Sequence, residues 1–161
     1  MKYAVLYIAS VVFINLAFSV VAPLTLPGGD SWSPVSLIVG FVFVIRDYAQ
    51  REIGHKVLLA MLAGGVISGL MADPGVAFAS ICAFLIGEML DWGVYSFTGR
   101  PFSQRILLSS AFSTPVDSAV FLAMLGLFSV PGVLMMTASK MLGAIIVYLL
   151  ARKREQLARV A

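Results

Sequence analysis

The chain has 161 residues, 60% of them apolar and only 12% charged, with a formal net charge of +3 and a mean hydropathy of +0.99. Soluble domains average about 45–50% apolar and about 25% charged residues, so this composition excludes a soluble domain and indicates a membrane protein. The single cysteine, Cys82, excludes an intramolecular disulfide. With one histidine, His55, it leaves no His/Cys metal cluster, so neither a metal nor a cofactor is expected. The basic residues fall at the edges of apolar runs, where topology accounts for them better than nucleic-acid binding does.

The apolar runs divide the chain into one transmembrane domain with six spans at about 3–22, 35–49, 57–72, 76–97, 106–128 and 131–150. The first resembles a secretory signal, but it is too long, and Pro23 stands where cleavage would occur. Pro23 to Pro34 is rich in Gly, Pro and Ser and reads as a loop. The second span reaches across a bilayer only by continuing through Arg46, Asp47, Tyr48 and Ala49. The third carries a GxxxG at Gly65 and Gly69, a close-packing signal that serves either the bundle or a homo-oligomer. Asp73-Pro74-Gly75 reads as a turn, Glu88 and Asp91 interrupt the fourth span, Pro115 and Asp117 lie in the fifth, and Lys140 lies in the sixth. Pro115 frees the carbonyl of Ala111, so a kink or break is expected there.

All but one of the 11 Lys and Arg residues fall before the first span, after the last, in the second and fourth connections or, for Arg46, in the polar end of the second span that leads into its connection. Both termini are therefore expected in the cytoplasm. The exception is Lys140.

A charge at the middle of a membrane helix costs about 2.5–3.5 kcal/mol on insertion scales, so these groups are expected to face one another or a wet cavity. A rise of about 1.5 Å per residue brings Asp117 and Lys140 to similar depth, as partners, and brings Arg46 within reach of Glu88 and Asp91. Asp47 and Arg51 share a helix face. Asn15, near the middle of the first span, adds an amide at similar depth. For Arg46 a simple snorkel to the interface is the competing reading. Trp92 and Tyr95 read as interfacial anchors.

The stretch Phe41-Val-Phe-Val-Ile-Arg-Asp-Tyr-Ala-Gln-Arg-Glu-Ile-Gly54, the segments Gly87-Glu-Met-Leu-Asp91 and Ser113-Thr-Pro-Val-Asp-Ser118, and the Lys140 helix together resemble the VUT family of vitamin uptake or queuosine precursor transporters. The resemblance implies six helices arranged as in the substrate-binding subunits of energy-coupling-factor transporters. It also implies import of 7-cyano-7-deazaguanine or 7-aminomethyl-7-deazaguanine across the inner membrane. By position, Asp47, Arg51, Asp91, Asp117 and Lys140 match polar positions of the family pattern.

The side chains suit that chemistry. A guanine-like edge presents an N–H and an NH₂ that one carboxylate accepts together, while its carbonyl needs a donor such as Lys140, Arg46 or Asn15. Phe13, Phe41, Phe84, Trp92 and Phe112 are available as aromatic walls. The substrate-binding set is thus Asn15, Arg46, Asp47, Glu88, Asp91, Asp117 and Lys140, with proton coupling through one of the carboxylates. The same logic admits biotin or thiamine. Beside this non-enzymatic reading stand a binding subunit that needs a separate ATPase module, a membrane enzyme of lipid or prenyl chemistry, and a structural subunit.

Overall fold

The computed structural model describes residues 1–25, 29–73 and 77–160. Among these it has six α-helices: α1 (Lys2–Val20), α2 (Ser36–Ile53), α3 (Val57–Met71), α4 (Ala77–Phe97), α5 (Phe102–Met124) and α6 (Val130–Val160). Two short strands, β1 (Leu24–Thr25) and β2 (Ser31–Trp32), precede α2, and a 3₁₀ turn at Gly54–Lys56 joins α2 to α3. The chain is an all-α protein of membrane composition, and five stretches are long and apolar enough to cross a bilayer. One of the five, Ser36–Met71, is 36 residues long and contains both α2 and α3. As a single rod it would measure about 54 Å, against about 30 Å of hydrocarbon. The 3₁₀ turn divides it, and Gly54 takes a φ of +60° that side chains disfavour.

Several boundaries differ from those read in the sequence. Helix α2 continues to Ile53 instead of ending near residue 49, because its last turn is polar but still helical. Helix α5 starts at Phe102, directly after Pro101, and ends at Met124 rather than 128. There Gly126 (φ +68°) closes a Schellman cap, with Leu127 N–H donating to the Leu122 carbonyl (2.9 Å) and Gly126 N–H to that of Ala123 (3.1 Å). Helix α6 runs past residue 150 to Val160, since its charged tail is made of good helix formers that hydropathy does not mark. Within Pro23–Pro34, expected to be loop, Leu24 pairs with Trp32 and Thr25 with Ser31. Leu26–Gly28 of that segment, Pro74 and Gly75 of the expected turn, and Val76 at the start of the fourth span lie outside the described residues. Pro115 does not break α5, which is continuous through it.

Neighbouring helices pack in the cyclic order α1, α2, α6, α5, α4, α3 and back to α1, and α2 also touches α4 and α5. The packing is inverted relative to a soluble domain. Leu59, Leu70, Phe78, Phe97, Phe112 and Leu134 are exposed, whereas Ser109, Ser110, Ser113, Thr114 and Ser118 are buried. That is the arrangement a lipid solvent selects.

The helix starts α1 and α5 and the ends of α2, α4 and α6 share what we call the basic end. There carboxylates from one helix cap another: Glu52 accepts from the backbone N–H groups of Lys2 (2.9 Å), Tyr3 (2.9 Å) and Ala4 (3.3 Å). Glu155 accepts from the Ser103 N–H (3.0 Å) and hydroxyl (2.7 Å). Both satisfy first-turn donors that a helix cannot satisfy itself and complement its dipole. At the opposite end the β1–β2 hairpin is tied to α6, since Trp32 Nε1 donates to Ser139 Oγ (2.9 Å). Gly65 and Gly69 lie against Leu85 and Ile81, so the GxxxG joins α3 to α4 within the chain.

Candidate functional site

Two glycine contacts set the geometry of the site. A Cβ on Gly40 would run into the backbone carbonyl of Lys140, and one on Gly143 would lie 2.9 Å from the Gly40 carbonyl carbon. Helices α2 and α6 therefore touch backbone to backbone where Lys140 leaves its helix. A Cβ on Gly87 would lie 2.8 Å from the Asp117 Cβ, so α4 and α5 meet equally closely beside Glu88. Larger residues at these positions would push the ionised side chains apart.

Two charge clusters result. In the first, Arg46 is fully buried and joins α2 to α4: its Nε lies 3.2 Å from Glu88 Oε2, and its Nη1 lies 3.1 Å from Asp47 Oδ1. Its Nη2 pairs with Asp91, and Nη1 also donates to Gln50 Oε1 (2.6 Å). Gln50 passes the chain on to Ser96 Oγ (2.7 Å). Helix α5 adds Ser109 and Ser113, whose hydroxyls donate to Asp47 Oδ2 and Asp91 Oδ1, both at 3.3 Å. The buried Tyr7 hydroxyl of α1 stands beside Glu88. The snorkelling alternative for Arg46 is thus overturned: three carboxylates hold it inside the bundle, which is cheaper than reaching water past them. In the second cluster Lys140 on α6 pairs with Asp117 on α5 and donates to Ser118 Oγ (3.0 Å).

A cavity of about 600 Å³ opens beside these clusters. All six helices line it. It begins at the end opposite the basic residues, with Phe18 and Ser19 of α1, Met71 to Asp73 after α3, and Ser80 of α4. It reaches inward to Asn15, Glu88, Asp117 and Lys140. Of the seven residues expected to bind substrate, these four meet at the cavity. Arg46, Asp47 and Asp91 do not line it; they stand behind Glu88 as its support. Asn15 accepts from Ser68 Oγ (3.2 Å) and donates to the Val11 carbonyl of its own helix (2.9 Å).

Arg51 is exposed and lies over the Phe102 ring (4.7 Å), away from the cavity, so its shared face with Asp47 has no partner role. The aromatic wall is largely not the expected one. Phe84 lines the cavity together with Phe18, Phe43 and Phe121, while Phe41 and Trp92 do not, and Phe13 and Phe112 are exposed on the outside. Tyr95, read as an interfacial anchor, is buried instead, with Arg105 over its ring (5.3 Å).

Of the supporting residues, Tyr7 and Ser109 were not singled out by the sequence reading, and Gln50, Ser113 and Ser118 stood only within the quoted segments, with no role given. The spacing of 109, 113 and 117 along α5 places one polar group per turn on a single face, which is the signal that marks two of them. No family model, no curated protein and no solved structure matches this chain.

Proposed function

We propose that this chain is a transporter, not an enzyme, that imports a flat purine-like solute of the 7-deazaguanine type, a queuosine precursor, across the inner membrane. The observation that carries this reading is the cavity of about 600 Å³, walled by every helix and reaching inward to Glu88, Asp117 and Lys140. Its volume falls within the roughly 300–1,000 Å³ of small-molecule sites. Ionisable groups inside membrane helices mark solute paths more often than they serve as struts.

In this reading α2 and α3 each cross the bilayer, giving six crossings, and the basic end faces the cytoplasm with both termini, as the positive-inside rule requires. The cavity then faces outward, as an importer needs. Glu88 or Asp117 accepts the paired N–H donors of the ligand, Lys140 or Asn15 donates to its carbonyl, and Phe43, Phe84 and Phe121 flank its faces. The likeness to the VUT family in the segments around Arg46, Glu88, Asp117 and Lys140 supports the substrate class, and one buried carboxylate is the natural carrier of a coupled proton.

The test is uptake of radiolabelled 7-cyano-7-deazaguanine by cells that cannot make it. The wild-type chain should restore uptake, and Asp117→Asn and Lys140→Met should abolish it. Wild-type rates in both variants would remove these residues from the path. Uptake by proteoliposomes holding this chain alone would show that no separate ATPase module is required.

A further inference from the structure

Among the described residues four carboxylates are buried in the helices, Asp47, Glu88, Asp91 and Asp117, against two buried cations, Arg46 and Lys140. The clusters share this imbalance unequally. Lys140 meets Asp117 one to one and adds Ser118, so that pair is formally neutral. Arg46 alone faces Asp47, Glu88 and Asp91. Asp47 and Asp91 lie behind it, each with a serine hydroxyl from α5. Glu88 is the member of that cluster that also borders the cavity. Among the described residues Lys140 is the only basic one on the cavity wall, and it is already matched by Asp117. Uncompensated negative charge in a low-dielectric interior is costly, and a positive charge entering the cavity relieves that cost.

The rest of the wall indicates what kind of cation. Phe18, Phe43, Phe84 and Phe121 line it together with Met71 and Met136. Such a lining, in which no three or more His, Cys, Asp or Glu side chains group to hold a metal among the described residues, is poor for a bare metal ion, which needs a shell of oxygen ligands. It suits an organic ammonium, which aromatic faces attract.

From the charge imbalance behind Glu88 and this aromatic lining we infer that the site discriminates by charge: it takes a flat heterocycle bearing a protonated amine in preference to the neutral heterocycle of the same shape, and Glu88 is the residue that sets the preference. This rests on the proposed function for the heterocycle but not for the charge. The amine sits against Glu88, a carboxylate that otherwise shares Arg46 with Asp47 and Asp91, and gives it a full counter-ion.

The test uses the purified full-length protein in detergent and a matched pair of probes, the cationic 7-aminomethyl-7-deazaguanine and the neutral 7-cyano-7-deazaguanine, with phenethylamine as an aromatic amine lacking the purine edge. Calorimetric titration should give about tenfold or more tighter binding of the aminomethyl probe, the equivalent of one charge-assisted contact. Glu88→Gln should bring that ratio to about threefold or less, and Glu88→Asp should restore most of it, each variant being accepted only if it melts cooperatively. Equal binding of the two probes by the wild-type chain, or a ratio that survives Glu88→Gln, overturns the inference while leaving the transport reading standing. Binding of phenethylamine that depends on Glu88, with neither deazaguanine bound, upholds the charge preference and overturns the proposed substrate. No binding of any of the three overturns both.

Discussion

The Arg46 cluster on α2 and α4 and the Lys140–Asp117 pair on α5 and α6 are both ionic and both buried, yet only the pair has both its partners on the cavity wall. Arg46 is surrounded: three carboxylates and Gln50 occupy its guanidinium, and no part of it reaches the cavity. Lys140 has one carboxylate and one hydroxyl, and its side chain keeps a small exposure to the open space. An ion held from several sides acts as a brace between helices, because a planar fork fixes its partners in direction as well as distance. An ion with one partner at a wall is able to exchange that partner for a ligand group at small cost. Charge in a membrane bundle therefore has two uses, and the number of partners separates them.

Removing the brace should have the largest effect. Arg46→Met leaves Asp47, Glu88 and Asp91 facing one another without a cation, and breaking a buried ion pair in this way costs about 3–5 kcal/mol. The expected outcome is loss of the monodisperse peak in size-exclusion chromatography and of a cooperative melt. Arg46→Lys keeps the charge but loses the fork, and should fall between Met and wild type. A Met variant that melts like wild type would show the cluster to be no brace at all.

The pair should behave differently under the same treatment. Asp117→Asn and Lys140→Met each strand a partly buried partner, at about 2–3 kcal/mol by thermal melting. The double variant removes both charges together, so its stability should return most of the way to wild type, while uptake should stay lost. Recovery of uptake in the double variant would reassign the pair as a strut and erase the contrast with Arg46.

Gly40→Leu should force the α2–α6 contact open at Lys140, where even its Cβ would overlap the Lys140 backbone carbonyl, and should cost at least the roughly 1–3 kcal/mol usual for overpacking. Uptake should fall further than stability, since Lys140 moves with the backbone. At Gly93, where a Cβ meets nothing within 4 Å, alanine should change neither.

The fold was legible where hydropathy and charge speak directly. Exposed apolar residues such as Leu59 and Phe78 carry the spans, and the basic residues mark one end. The pairings of Arg46 with Glu88 and Asp91 and of Asp117 with Lys140 were legible as well, because intramembrane charge has few ways to be satisfied. What the sequence hid depends on rotation about helix axes. Phe43 and Phe84 line the cavity while Phe13 and Phe112 point outward, and nothing in an apolar run says which phenylalanine faces which way when lipid and core are equally apolar. Gly40 and Gly143 were hidden for a related reason: they belong to different helices, and their contact exists only once α2 and α6 are laid together. The ends of α2 and α6 were misread because polar turns of good helix formers continue past the apolar segment.

Serine hydroxyls give the finest probe of the contrast, since each cluster takes its own from α5. Ser113 donates to Asp91 in the sealed cluster, and Ser118 accepts from Lys140 at the wall. Both are fully buried, and removing either hydroxyl gives up one hydrogen bond to a charged group, worth about 1.5–3 kcal/mol at most. Stability should therefore fall by similar small amounts in Ser113→Ala and Ser118→Ala. Uptake should not fall equally. In Ser113→Ala the brace keeps all its ion pairs, so the cavity wall is unchanged and the rate should stay near wild type. In Ser118→Ala the Lys140 ammonium loses its second anchor, turns more fully onto Asp117, and presents itself less well to an incoming carbonyl. The rate should drop several-fold at low substrate, with KM raised more than the maximal rate is lowered. Equal rates in the two variants would mean that the wall pair and the sealed cluster respond as one unit, and that counting partners does not separate brace from site.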